Sequence, residues 1–164
     1  MTMGIPTHAP FRDTEHKRIR TRLGKFQVES FPVPHNGCEN RGFLIKTDGQ
    51  IIAFMVDLEY CTYDLSKIPI NILIVECNYI EDLVDDSLPN IRHKVLGHAE
   101  LETTIGIIKN CQKHLRKVFL IHASKGATMD KERAIKRIRS EIPEYIECTF
   151  VKENTSYEIS EIPF

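Results

Sequence analysis

Residues 71–78, NILIVECN, form a continuous apolar run of strand length with polar residues at both ends, the pattern of a strand buried on both faces of a sheet. Residues 117–124, KVFLIHAS, repeat it. Between the two runs, HAELETTIGIIKNCQKHL places Leu101, Ile105, Ile108 and Leu115 at helical spacing, which predicts an amphipathic helix. After the second run, ATMDKERAIKRIRSEIP sets Ala134, Ile138 and Ile142 four residues apart, a second amphipathic helix that Pro143 should stop. Strand, helix, strand, helix is the signature of an α/β domain, in which a helix can cover each face of the sheet.

Upstream, GFLIKTDGQIIAFMVD carries Asp48-Gly49 between two apolar runs, a strong hairpin signal, and predicts antiparallel strands near 43–46 and 51–56. KFQVESFPV precedes them as a further strand, EDLVDDSLPNIRHKVLG reads as short helical pieces, and the tail IECTFVKENTSYEI supplies one or two last strands with Asn154 at a turn. Residues 1–24 show no sustained period and read as an irregular opening segment, leaving 25–164 as the domain. The 164 residues suffice for one domain, a size that buries about 70% of its unfolded surface.

Composition excludes several classes. Hydrophobic residues are 41% and charged residues 27%, which rules out a disordered or collagenous chain. The longest apolar runs, such as 68–75, are too short to cross a bilayer, and no secretory leader is legible. A net charge of −1 demands neither nucleic acid nor membrane. Five cysteines without CxxC spacing fit a reducing cytoplasm and read as small core residues. The basic helix KERAIKRIRSE reads as a solvated face, because Glu132, Glu141 and Glu144 intersperse its cations; a nucleic-acid module built on it and on RHK is the weaker reading.

Chemistry should gather at the polar ends of the apolar strands: His35 after SFPVP, Asp57 after IIAFMV, Glu76 and Asn78 after ILIV, and His122 after KVFLI. Two imidazoles and a carboxylate are the donor set that borderline cations such as Zn²⁺ or Mn²⁺ prefer. Each residue alone also reads as a hydrogen-bonded strand terminus. A Cys38–His35 nucleophile is a further arrangement that sequence proximity does not establish.

The succession VPHNGCENRGFLI, IIAFMVDLEY, ILIVECNY, RHKVLGHAELETT and KVFLIHASKG resembles the second half of metallo-β-lactamase-fold hydrolases, particularly their phosphodiesterase-like and ribonuclease Z-like members. The resemblance implies the C-terminal half of an αββα sandwich with two divalent metal ions, Zn or Mn. It implies that His35 binds one metal, Asp57 bridges both and His122 binds the second. His98, in GHAELET, would contact phosphate or protonate the leaving group, and Glu76 and Asn78 would orient the ligands. The family's HxHxDH motif, which lies before these residues, has no counterpart here. The expectations are therefore weak metal binding by the chain alone and exposed apolar sheet faces, with an N-terminal half or a second copy as partner. The substrate would be a phosphodiester or other ester, nucleic acid included. A non-catalytic remnant or protein-interaction domain keeping the fold is the alternative.

Overall fold

A computed structural model describes residues 19–159, the side chains of Ile19, His93 and Lys94 apart. Most of the irregular opening segment, with His8 and His16, lies outside the described residues. Seven strands form one sheet in sequential order: β1 (Ile19–Leu23), β2 (Phe26–Pro32), β3 (Arg41–Thr47), β4 (Gln50–Met55), β5 (Ile72–Glu76), β6 (Lys117–Ile121) and β7 (Glu147–Phe150). The first four pair antiparallel as a meander, and β4 to β7 pair parallel. β1 corrects the sequence reading, since its five residues fall inside the stretch expected to be irregular. Alternating charged residues in IRTRL hide its period; pairing with β2 holds it extended.

The Asp48-Gly49 turn forms as expected. Both residues have positive φ, 46° and 78°, which only a turn of the primed type uses and which matches the right-handed twist of the flanking strands. Lys25 Nζ, in the neighbouring β1–β2 turn, lies 2.7 Å from Asp48 Oδ2 and lowers that carboxyl below its ordinary range.

Three helices follow: α1 (Ile91–Val95), α2 (Leu101–Cys111) and α3 (Lys131–Arg139), with a 3₁₀ turn at Glu81–Leu83. Glu100 caps α2 by accepting from Glu102 N and Thr103 N, and Asp130 caps α3 by accepting from Arg133 N. α3 ends at Arg139 with Ser140 as its cap, four residues before Pro143, so that proline does not terminate it.

Both long helices cover the same face. Ile105 and Ile108 of α2 and Ala134 and Ile138 of α3 share one buried cluster with Ala53, Leu73, Val75, Val118 and Leu120. The two parallel crossovers that carry the long helices, β5 to β6 and β6 to β7, advance in one direction across the sheet, and crossovers of one hand then place their helices on one side. Alternate residues on the opposite face, Ile52, Ile72 and Phe119, form a second cluster with Ile45, Ile74, Val151 and Tyr157, to which none of the described helices contributes. Cys77, Cys111 and Cys148 are buried as expected, but Cys38 is exposed on the turn after His35, where no apolar element covers it.

Candidate metal centre

The carboxyl ends of β4, β5 and β6 lie side by side, because these strands are parallel and in register. Each delivers a polar residue to the same place: Asp57 follows β4, Glu76 ends β5 and His122 follows β6. His98 arrives from the loop before α2, whose first turn is fixed by Leu101 N donating to Tyr79 O and Thr104 Oγ1 donating to Glu76 O.

Glu76 is completely buried and is the hub of the site. Its Oε1 lies 2.7 Å from His98 Nδ1 and 3.0 Å from His122 Nδ1, while Oε2 accepts from Leu58 N at 3.0 Å. A buried carboxylate is costly unless charge-assisted hydrogen bonds surround it, and these three contacts provide them. His122 Nδ1 is also 3.1 Å from Asp57 Oδ1, and His98 Nδ1 is 3.8 Å from the same oxygen. Asp57, Glu76, His98 and His122 each offer a ligand atom, all within 4.8 Å of one another.

The backbone supports this convergence. Asp57 and His122 both adopt positive φ, 54° and 55°, turning their side chains back over the strand ends. Asn40 Nδ2 donates to the carbonyls of Val56 and Asp57, at 2.7 and 2.5 Å, holding the first turn. Asn78 Nδ2 donates to His122 O at 2.7 Å, Asn78 N donates to Ala99 O, and Asn78 O accepts from Ser124 N. Asn78 thus ties the segment bearing His98 to the one bearing His122.

His35 stands beside the four donors rather than among them. Its Nδ1 is 2.7 Å from Gly97 O, and its ring meets that of His98 edge to face at 5.2 Å; His98 meets His122 the same way at 5.1 Å. Three imidazoles therefore stand in a row along the strand ends. Cys38 meets His35 through the backbone, Cys38 N donating to His35 O at 2.7 Å. Burial pushes the thiols of Cys77, Cys111 and Cys148 up to about 12, which keeps them protonated and unreactive at neutral pH.

The donor chemistry fits a divalent cation. Two carboxylates and two imidazoles are hard and borderline ligands suited to Zn²⁺ or Mn²⁺. The sequence reading named all four, Asp57 and His122 as metal ligands, His98 as a catalytic residue and Glu76 as one that orients the ligands, and the structure brings them together. Asn40 and Gly97 were missed. The glycine before the histidine in LGHAE is the one signal that could have marked the latter.

No protein-family model matches the chain, and a search of curated proteins also finds no match. Solved structures do match. The metallo-β-lactamase fold protein YhfI from Bacillus subtilis superposes with a TM-score of 0.63 at 16% identity, covering 82% of this chain and 49% of YhfI. A structure from Thermotoga maritima, described as that of a Zn-dependent hydrolase of the metallo-β-lactamase superfamily, gives 0.58 at 10% identity, covering 82% and 69%. A diphosphatase from the PhnP family gives 0.53 at 15% identity, covering 83% and 44%. The chain has a metallo-β-lactamase-like α/β fold and spans about half the length of YhfI.

Proposed function

We propose that this chain is the C-terminal part of a metal-dependent hydrolase of the phosphodiesterase or nuclease type. The observation that carries this reading is the convergence of Asp57, Glu76, His98 and His122 at the ends of three parallel strands. Asp57 and His122, with His35 alongside, would hold two divalent ions, Zn or Mn. When bound, such ions supply Lewis-acid polarisation of a phosphoryl or carbonyl oxygen.

The residues of the chain divide the remaining work. Glu76 Oε1 accepts the Nδ1 protons of His98 and His122, which leaves Nε2 of each ring free to face a ligand or substrate. Held through Nδ1 by Glu76 Oε1, His98 can transfer an Nε2 proton to the departing oxygen as the ester bond breaks. Asn78 holds the two histidine-bearing segments in register. A cavity of about 340 Å³ reaches His98 and is lined also by Tyr79, Arg92 and Leu96, enough to admit the substituent of a phosphodiester. The diphosphatase neighbour supports a phosphoester substrate, nucleic acid among the candidates.

The complete centre would need further ligands, from an HxHxDH-bearing N-terminal half or from another copy of the chain. The buried thiols suit a reducing cytoplasm. The test is metal content and hydrolysis of bis(p-nitrophenyl) phosphate by the chain alone and with an HxHxDH-bearing polypeptide. Activity in the mixture that is lost in Asp57→Ala supports the proposal. Absence of metal and of activity in both makes the chain a non-catalytic interaction domain.

A further inference from the structure

The cations of α3 are sorted by direction. Arg133 pairs with Asp82 at 2.5 Å, and Arg137 pairs with Glu102 and Glu141 at 2.9 and 2.5 Å. Lys131, Lys136 and Arg139 have no carboxylate within ion-pair distance among the described residues, and all three line a groove of about 560 Å³ between α3 and β7. Its floor is apolar, made by Ile135, Cys148 and Phe150, with Lys131 Nζ 5.5 Å from the Phe150 ring centre. Glu132 is the one acid on the wall among the described residues, and Glu153 lies near enough to Lys131 to be lowered by its charge.

The far side of this groove is an open sheet edge. β7 is the last strand, paired only with β6 among the described residues. Glu147 N donates to Arg116 O and Val151 N to Leu120 O, so by strand alternation Cys148 and Phe150 turn their backbone N–H and C=O groups outward. Natural sheets guard such edges with charges or proline on the strand itself. Glu147, at the start of β7, is the one charge on the strand; Cys148, Thr149 and Phe150 carry neither charge nor proline, and Lys131, Lys136 and Arg139 stand back on the helix, where they flank the edge without blocking it.

We propose that the α3–β7 groove binds an extended acidic peptide segment of a partner protein, which adds to β7 as an eighth strand. Its backbone would pair with Cys148 and Phe150, its apolar side chains would rest on Ile135 and Phe150, and its carboxylates would meet Lys131, Lys136 and Arg139. Backbone pairing, which a nucleic acid cannot offer, favours a peptide over a polyanion. The groove shares no lining residue with the four donors, and the inference does not depend on the hydrolase reading.

The test titrates the full chain with fluorescein-labelled EVEIEVEI, with KVKIKVKI, with an EVEIEVEI form N-methylated at every second residue, and with an oligothymidylate of equal charge. Saturable binding of EVEIEVEI alone is expected. It should fall about tenfold or more in Lys136→Glu/Arg139→Glu and weaken as salt rises. Circular dichroism and the thermal midpoint report whether that variant keeps its fold; the N-methylated peptide, which should not bind, tests the strand pairing independently of any protein variant. Equal binding of the methylated peptide, tighter binding of the oligothymidylate, or no binding of EVEIEVEI overturns the proposal.

Discussion

The carbonyl of Gly97 lies 2.7 Å from His35 Nδ1, and a β-carbon at residue 97 would come within 2.8 Å of the same nitrogen. Gly97 also has φ of +88°, a conformation that L side chains rarely adopt. The glycine thus lets the loop bearing His98 close on His35, which places the two imidazoles edge to face. Gly97→Ala should cost about 1–3 kcal/mol of stability in urea unfolding. It should also shift the ring resonances of both His35 and His98. A variant of wild-type stability with unmoved resonances would refute this role.

Glu76→Gln preserves volume but removes the charge that both Nδ1 atoms face, and it places an amide in a fully buried position. Leaving buried donors mismatched costs about 1–3 kcal/mol. Affinity for Zn²⁺ or Mn²⁺, measured by calorimetry, should fall about 10–100-fold, the usual effect of losing the partner that orients a ligating histidine.

Asp57→Asn separates charge from conformation. Asparagine accepts the left-handed backbone that Asp57 adopts at φ of 54°, so stability should change by less than about 0.5 kcal/mol, while metal binding should be lost. Asp57→Ala should lose metal binding too and add a stability cost from its strained backbone. Equal unfolding midpoints for the two variants would contradict the role assigned to that turn.

The parallel half of the sheet was legible because burial on both faces leaves an unbroken apolar word, and NILIVECN and KVFLIHAS are two such words. The polar residue that ends each word was legible for the same reason, so Glu76 and His122 were found with their strands. β1 was not, since an edge strand of alternating Arg and Thr buries nothing that leaves a period. Nor could sequence show that both crossovers carry α2 and α3 to one face; that depends on strand order, which no local pattern encodes. His35 was grouped with the metal donors by its place after SFPVP and by resemblance, while its place beside His98 depends on a contact 62 residues away in sequence. Cys38 was expected in the core because free cysteines usually pack there, yet its turn lies outside the apolar elements.

Glu141 joins the ends of two helices. Arg137 Nη1 lies 2.5 Å from its Oε1 and Lys109 Nζ, on α2, 2.9 Å from its Oε2. Hydrogen bonds from Arg137 first and Lys109 second lower its carboxyl from 4.5 to about 2. A carboxyl that is more acidic folded than unfolded contributes stability that is fully present above its unfolded value and is lost as pH falls through its folded value. The window here runs from 4.5 down to about 2. Carboxyl carbon shifts followed against pH should show Glu141 titrating near the lower limit. Arg137→Gln should move that midpoint upward more than Lys109→Gln does, because Arg137 is the larger cause. Raising salt should do the same in the wild type, since the pairs are at the surface and screened. The fall in unfolding midpoint across this pH window should be shallower in Arg137→Gln than in the wild type. A Glu141 midpoint that stays near 4.5 in the wild type would show that the two cations do not hold the carboxylate in solution.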